Sequence, residues 1–281
     1  MYDVILVPTD GSEHAARAAE HAALLADAFD AAVHVVSVVD DGSEERRDAA
    51  REAVDAVESL VADGARVETA ILDGVPEDAI LAYADDHGAD LVAMGTHGRT
   101  GVDRYVAGSV TEAVVRHADA PVLAVRATEE SRPRSYEDVL VPTDGTPTAD
   151  AAVDHGVAIA DAFDATVHVV NVVDTGGTHA SPTYELTREM VAELEAAGQR
   201  VVEDVAERAR DAGVNATTYV HEGHAAEGIL DYVDDHGVDL TVMGTRGESG
   251  LTRFLLGSTA ERVIRHSPVP VVAVNARGDR E

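Results

Sequence analysis

The sequence predicts an α/β protein of two tandem domains, each built on a doubly wound, mostly parallel sheet. Three observations carry this. Short β-branched runs alternate with longer alanine-rich, charged stretches along the whole chain, the pattern of βαβ units. The runs are almost continuously apolar, as in strands covered on both faces. And the 281 residues contain one unit written twice, a repeat that has to be settled before any fold is assigned. "DVILVPTDGS" from Asp3 returns as "DVLVPTDGT" from Asp138, and "AAVHVVSVVD" ending at Asp40 returns as "ATVHVVNVVD" ending at Asp174. "DDHGADLVAMGT" returns as "DDHGVDLTVMGT" after about 15 additional residues.

In the first copy residues 4–7, 33–38, 67–72, 91–94 and Val122–Val125 read as strands. Glu13–Phe29, 44–63, 76–87 and Ser109–His117 read as helices between them. Gly88 and Gly237, each following "DDH", are placed as helix stops. In the second copy Thr146-Pro147 and Ser181-Pro182 put an N-cap residue before an N1 proline, and a helix over residues 182–212 takes up most of the insertion. The polar "TEESRPRS" from Thr128 marks the linker, giving domains at 1–127 and 137–276 joined by 128–136.

Composition restricts the function classes. A formal charge of −32 repels nucleic acid and anionic membranes. No apolar run reaches the roughly 18 residues of a membrane span, and "MYDVILVPTD" lacks a basic leader. There is no cysteine, which removes disulfides and thiolate chemistry. These features predict a cytoplasmic protein. All 21 basic residues are arginine, so no Walker-type, kinase-type or Schiff-base lysine exists. An acid-rich chain without lysine suits the interior of an extreme halophile, a haloarchaeal cell, where salt screens the repulsion.

The most informative stretch occurs twice: "GTHGRTGVDRYVAGS" from Gly95 and "GTRGESGLTRFLLGS" from Gly244. Each follows a buried strand and opens a helix, where open α/β sheets place ligands. Gly95 and Gly98 are expected to allow close backbone approach and positive φ. Gly108-Ser109 opens a helix whose free N–H groups favour an anion. Gly244, Gly247, Gly257 and Ser258 repeat the arrangement, a phosphate cradle that needs no lysine. A reading without ligand stands beside it, since Ser109 with Glu112 and Ser258 with Glu261 each fit a capping box. Asp10 and Asp144 likewise serve either a nucleotide or the cap of the following helix. The loops differ in charge: His97 and Arg99 in the first, Arg246 and Glu248 in the second. Glu248 is expected to weaken phosphate binding there.

The "VPTDGS" start, the strand ending in "VVD" and the spacing G-2x-G-9x-G-S after "MG" resemble the universal stress protein family over nearly the whole chain. The resemblance implies two Rossmann-like, adenine nucleotide alpha hydrolase-like domains, each with a five-stranded sheet flanked by four helices. It implies pairing through the final strands, Val122–Val125 and Val271–Val274, inside one chain, with a further homodimer open. Members with this glycine motif bind ATP, so the resemblance implies ATP, with Mg2+ or Mn2+, and a stress-response regulator or sensor. The first site would comprise Pro8, Thr9, Asp10, Val38, Met94, Gly95, Gly98, Arg99, Gly108, Ser109 and Val110. The second would comprise Pro142, Thr143, Asp144, Val172, Met243, Gly244, Gly247, Gly257, Ser258 and Thr259. A slow ATP hydrolase or adenylate-transferring enzyme, and a ligand-free interaction scaffold, remain the rival readings; nothing marks a catalytic residue. His14, His21, His87, His117, His155 and His236 are expected on solvated helix faces, His34 and His168 as structural residues. "HEGH" (His221 to His224) is not expected to hold a metal, because the first copy has "LDGV" there.

Overall fold

Apolar β-branched runs bury both faces when helices cover the sheet, and this fixes the order of elements. The computed structural model describes residues 1–40, 43–61, 65–96, 108–128, 131, 135–173, 187–246 and 256–275. The chain divides into two units, residues 1–135 with 268–281 and residues 136–267. The first unit runs β1 (Val4–Pro8), α1 (Glu13–Phe29), β2 (Ala32–Val39), α2 (Glu44–Val61), β3 (Arg66–Asp73), α3 (Pro76–Asp86), β4 (Leu91–Gly95), α4 (Ser109–His117) and β5 (Val122–Val125). The second repeat follows as β6 (Asp138–Pro142), α5 (Pro147–Phe163), β7 (Thr166–Val173), α6 (Arg188–Asp211), β8 (Asn215–Glu222), α7 (Ala225–His236), β9 (Leu240–Gly244), α8 (Ser258–His266) and β10 (Val271–Val274). Among the described residues each repeat thus supplies five strands and four helices.

In the first unit the parallel strands lie in the order β3-β2-β1-β4-β5. β10 adds an antiparallel strand beyond β5, with Val272 opposite Leu123. The two final strands therefore pair within one chain, and residues 268–281 group with the first unit although the repeat assigns them to the second copy. Asn275, just beyond β10, donates its amide to the carbonyls of Val115 and Ala118 at 2.9 Å each. The second unit orders its parallel strands β9-β6-β7-β8.

The central strands are buried along their length. β3 and β8 depart from the expectation of cover on both faces: they are edge strands and largely exposed. Their apolar residues are flanked by Arg66, Glu68 and Asp73 and by Tyr219 and Glu222, polar or amphipathic groups that suit a solvated edge. The helix ends follow local chemistry. Ser12 and Thr146 cap α1 and α5, accepting from Ala15 and Ala149, and Gly237 stops α7 in the left-handed region. α6 begins at Arg188 behind Thr187, so the expected Ser181-Pro182 start lies outside the described residues. Asp90 accepts from the backbone N–H of Asp3 and Val4 at 2.8 and 3.1 Å. Asp239 repeats this on Glu137 and Asp138.

Of the helix histidines, His87, His117 and His236 are exposed as expected, and His21 corrects the solvated-face expectation. His21 is 2% exposed and its Nε2 lies 2.8 Å from the Ser131 carbonyl. His14 accepts at Nδ1 from the Ala127 N–H at 2.9 Å. His87 and His236 stack on Tyr83 and Tyr232, centroids 3.8 Å apart. Those tyrosines hydrogen-bond His34 and His168, so the paired strand histidines are structural, pinning α3 to β2 and α7 to β7.

Candidate functional site

Parallel strands end with their carboxyl termini on one side of the sheet, and the connections there must either meet or leave a crevice. In the first unit β1, β2 and β4 end around a crevice of ≈ 500 Å³, within the range of ordinary ligand sites. Every residue expected of the first site lines it, except Gly98 and Arg99, which lie outside the described residues. Pro8, Thr9 and Asp10 form one wall, Val38 and Met94 the floor, and Gly108, Ser109 and Val110 the opposite side.

The expected close backbone approach is found at Gly95, toward α1, while the expected positive φ is not. Neither Gly95 nor Gly108 has positive φ; Gly108 sits at −54°. A Cβ on Gly95 would stand 2.6 Å from the backbone carbon of His14 and 2.8 Å from the nitrogen of Ala15. Gly95 lets α1 pack against β4 with no side chain between them. Gly244 does the same against Thr148, at 2.9 Å.

Past Gly95 the chain leaves and returns to one point. The Gly108 N–H donates to the Thr96 carbonyl, and the Gly257 N–H to that of Thr245. The Thr111 hydroxyl adds a 2.7 Å bond to the Gly95 carbonyl. The capping box does not form. Glycine, not serine, is the N-cap of α4 and of α8, without a side-chain cap; Glu112 and Glu261 turn instead to Arg116 and Arg265. Ser109 and Val110 are therefore first-turn residues, whose N–H groups have no carbonyl partner inside the helix. They and the helix dipole provide a positive end on the crevice wall.

Asp10 does not cap α1, since Ser12 does. Its carboxylate accepts from the Ser12 N–H at 3.0 Å and is exposed. Asp144 repeats this on the Thr146 N–H. His14, behind this turn, is held below its ordinary pKa, first by burial and then by Arg126, against the raising effects of Glu13 and Asp10. The sequence reading missed the wall given by α2: Arg46, Ala49 and Ala50. Arg46 is ion-paired with Asp40 at the mouth. Helical periodicity marks which α2 residues face the sheet, but not how near the strand ends they come.

The second unit holds a smaller crevice, ≈ 150 Å³. The residues expected of the second site line it, apart from Gly247, which with Glu248 and Asp174 lies outside the described residues. Ala225 and Ile229 of α7 stand where Pro76 and Ile80 of α3 stand in the first. Among the described residues no group of three His, Asp or Glu side chains is placed to hold a metal ion.

Comparison with known proteins follows the sequence repeat. The family model "Universal stress protein family" matches residues 1–126 and again residues 135–275. The chain belongs to the universal stress protein family. One copy is 39% identical over 142 residues to a universal stress protein of Methanocaldococcus jannaschii, covering 50% of this chain and 82% of that one. A universal stress protein of Mycolicibacterium smegmatis is 27% identical over 241 residues, 81% of this chain and 77% of its own. A universal stress protein structure from Archaeoglobus fulgidus superposes with a TM-score of 0.77 over 98% of both chains. Its 23% identity speaks to the fold, two tandem Rossmann-like stress-protein domains.

Proposed function

We propose that this stress protein binds an adenine nucleotide, ATP, in the crevice of its first unit and acts as a cytoplasmic stress-response regulator or sensor. The observation that carries the reading is the glycine-capped first turn of α4, placed on the wall of a crevice large enough for a nucleotide. Ser109 and Val110 would offer their N–H groups to the phosphates without a lysine. The base would lie along Val38, against the apolar surface of Met94, Pro76 and Ile80. Asp10, exposed beside the phosphates, would contact ribose hydroxyls or share a Mg2+ or Mn2+ ion that enters with them, because an unshared carboxylate there is repelled. Arg46 would exchange Asp40 for a phosphate, a stronger charge-assisted partner.

The chain has no tryptophan, so bound adenine adds visibly to its low ultraviolet absorbance. Protein purified in molar salt is expected to release ATP, identified by mass spectrometry. After stripping, ATP at about 100 times its Kd should stabilise the first unit by about 2.7 kcal/mol. Absence of both the released nucleotide and the thermal shift would remove the nucleotide reading and leave a ligand-free scaffold.

A further inference from the structure

The two crevices have the same wall on three sides and differ on the fourth. Pro8, Thr9 and Asp10 match Pro142, Thr143 and Asp144; Val38 matches Val172; α3 matches α7; the glycine-capped turn of α4 matches that of α8. The contribution of α2 has no counterpart: among the described residues, α6 gives nothing to the second crevice.

The cause is one exchanged pair. The buried face of α6, Gly198, Val202, Val205 and Ala209, repeats that of α2, Ala50, Val54, Val57 and Val61. The sixth residue of β2, Ser37, lines the first crevice. The sixth of β7 is Asn171, 9% exposed, whose amide donates to the Thr143 carbonyl at 2.8 Å. Its longer side chain occupies the space between strand and helix. A Cβ on Gly198 would stand 2.3 Å from Asn171 Oδ1, so Gly198 is the residue that admits the carboxamide, where Ala50 faces the shorter serine.

The charges changed along with the shape. One turn earlier on the same faces, Arg46 and Arg47 of α2 correspond to Leu194 and Glu195 of α6. Arg47 pairs with Asp73 at the end of β3. Glu195 instead faces Glu222 at the end of β8, and its hydrogen bond to that carboxylate holds its pKa above the ordinary range. The α6 side thus lacks the guanidinium that Arg46 gives on α2 and carries a like-charge carboxylate pair at the end of β8, while the guanidinium that lines the second crevice is Arg246 of the glycine loop.

We infer that the two sites have diverged: only the first takes a nucleotide, and Asn171, admitted by Gly198, is the residue that closes the second. The inference rests on the nucleotide reading above but goes beyond it, since that reading allows two equivalent sites. A ligand seated in the second unit as in the first would need the space between β7 and α6 that this buried, hydrogen-bonded carboxamide occupies, and displacing it would leave the Thr143 carbonyl without its donor.

Equilibrium dialysis of the intact chain with labelled ATP in molar salt counts the sites, and photo-crosslinking with an azido-adenine analogue of ATP locates them. One ATP per chain is expected, with crosslinked peptides from residues 1–135 only. Asn171→Ser with Gly198→Ala rebuilds the first-copy pair, and Leu194→Arg restores the guanidinium; this triple variant should bind a second ATP and crosslink within residues 136–267. The reciprocal Ser37→Asn with Ala50→Gly should weaken the first site at least about tenfold while the thermal transition of the fold is retained, about 1.4 kcal/mol in binding. Two sites of similar affinity in the unaltered chain would overturn the inference and leave the nucleotide reading intact. A triple variant that folds and still binds one would overturn the role of Asn171. No binding by the unaltered chain would overturn the nucleotide reading, and the inference with it.

Discussion

Acidification should destabilise the first unit in part through His21. His21 lies inside α1 with its Nε2 on the Ser131 carbonyl, which requires the Nε2–H form. Burial lowers its pKa to about 4; the Ser131 bond works against this, and Arg17 on the same helix adds to it. The unfolded chain has an ordinary histidine near 6.5, so between pH 6.5 and 4 the unfolded state binds more protons and stability falls as pH falls. At pH 5 the loss relative to pH 7.5 comes to about 2 kcal/mol, rising to about 3 kcal/mol at pH 4. The comparison is made differential, so that only the imidazole separates the two proteins. His21→Gln keeps an amide donor for Ser131 and removes the titration. Urea unfolding of both proteins at fixed molar salt, from pH 7.5 to 5, should show the variant less stable at neutral pH. The two should converge by about 2 kcal/mol on acidification. A gap that stays constant across the range would refute the argument, for it would mean that His21 does not titrate on unfolding.

Gly95→Ala should cost about 3 kcal/mol or prevent folding of the first unit, because the added Cβ meets the backbone of α1, which cannot rotate away; thermal unfolding in molar salt measures it, and a loss under about 0.5 kcal/mol would contradict the close approach. Asp239→Ala should cost about 2 kcal/mol, since two backbone N–H groups at the start of β6 lose their shared acceptor. Asp239→Asn, which keeps an oxygen acceptor, should recover about half of that in the same urea titration.

Much of this architecture is legible in the sequence because it is set locally. The bounds of α1, α4 and β5 are readable to the residue, since Ser12 begins α1 and Gly108 begins α4 by the chemistry of their own first turns. What could not be read depends on contacts distant in sequence. His21 looks like a residue of a charged helix until the linker, through Ser131, closes over it. Gly95 has the composition of a flexible loop residue, yet its conformation is ordinary, and the helix behind it excludes a side chain. The capping box is absent because Gly108 is the N-cap: Ser109 is then the first helical residue and not the cap that "S-x-x-E" requires, and Glu112 pairs with Arg116. The α2 wall was hidden because period 3.6 identifies the face of a helix, not its height above the sheet.

The charge of the chain explains why the two crevices are to be distinguished by their walls and not by their surroundings. Fifty-three carboxylates against 21 guanidinium groups give every part of the surface a field that opposes a triphosphate. At about 1 M salt the Debye length is near 3 Å, so that field is screened within one water layer and both crevices see little of it. Groups in direct contact are not screened in this way. The peptide N–H groups of Ser109 and Val110 have counterparts in Ser258 and Thr259, so the helix termini do not discriminate either. Arg246 lines the second crevice and offers it a cation of its own, so discrimination falls to the shape of the strand–helix wall: Ser37 and Ala50 against Asn171 and Gly198. A duplicated domain can lose one binding site in this manner without losing its fold. The carboxamide of Asn171, packed between β7 and α6, keeps the contact between strand and helix, and it satisfies the Thr143 carbonyl with its own amide.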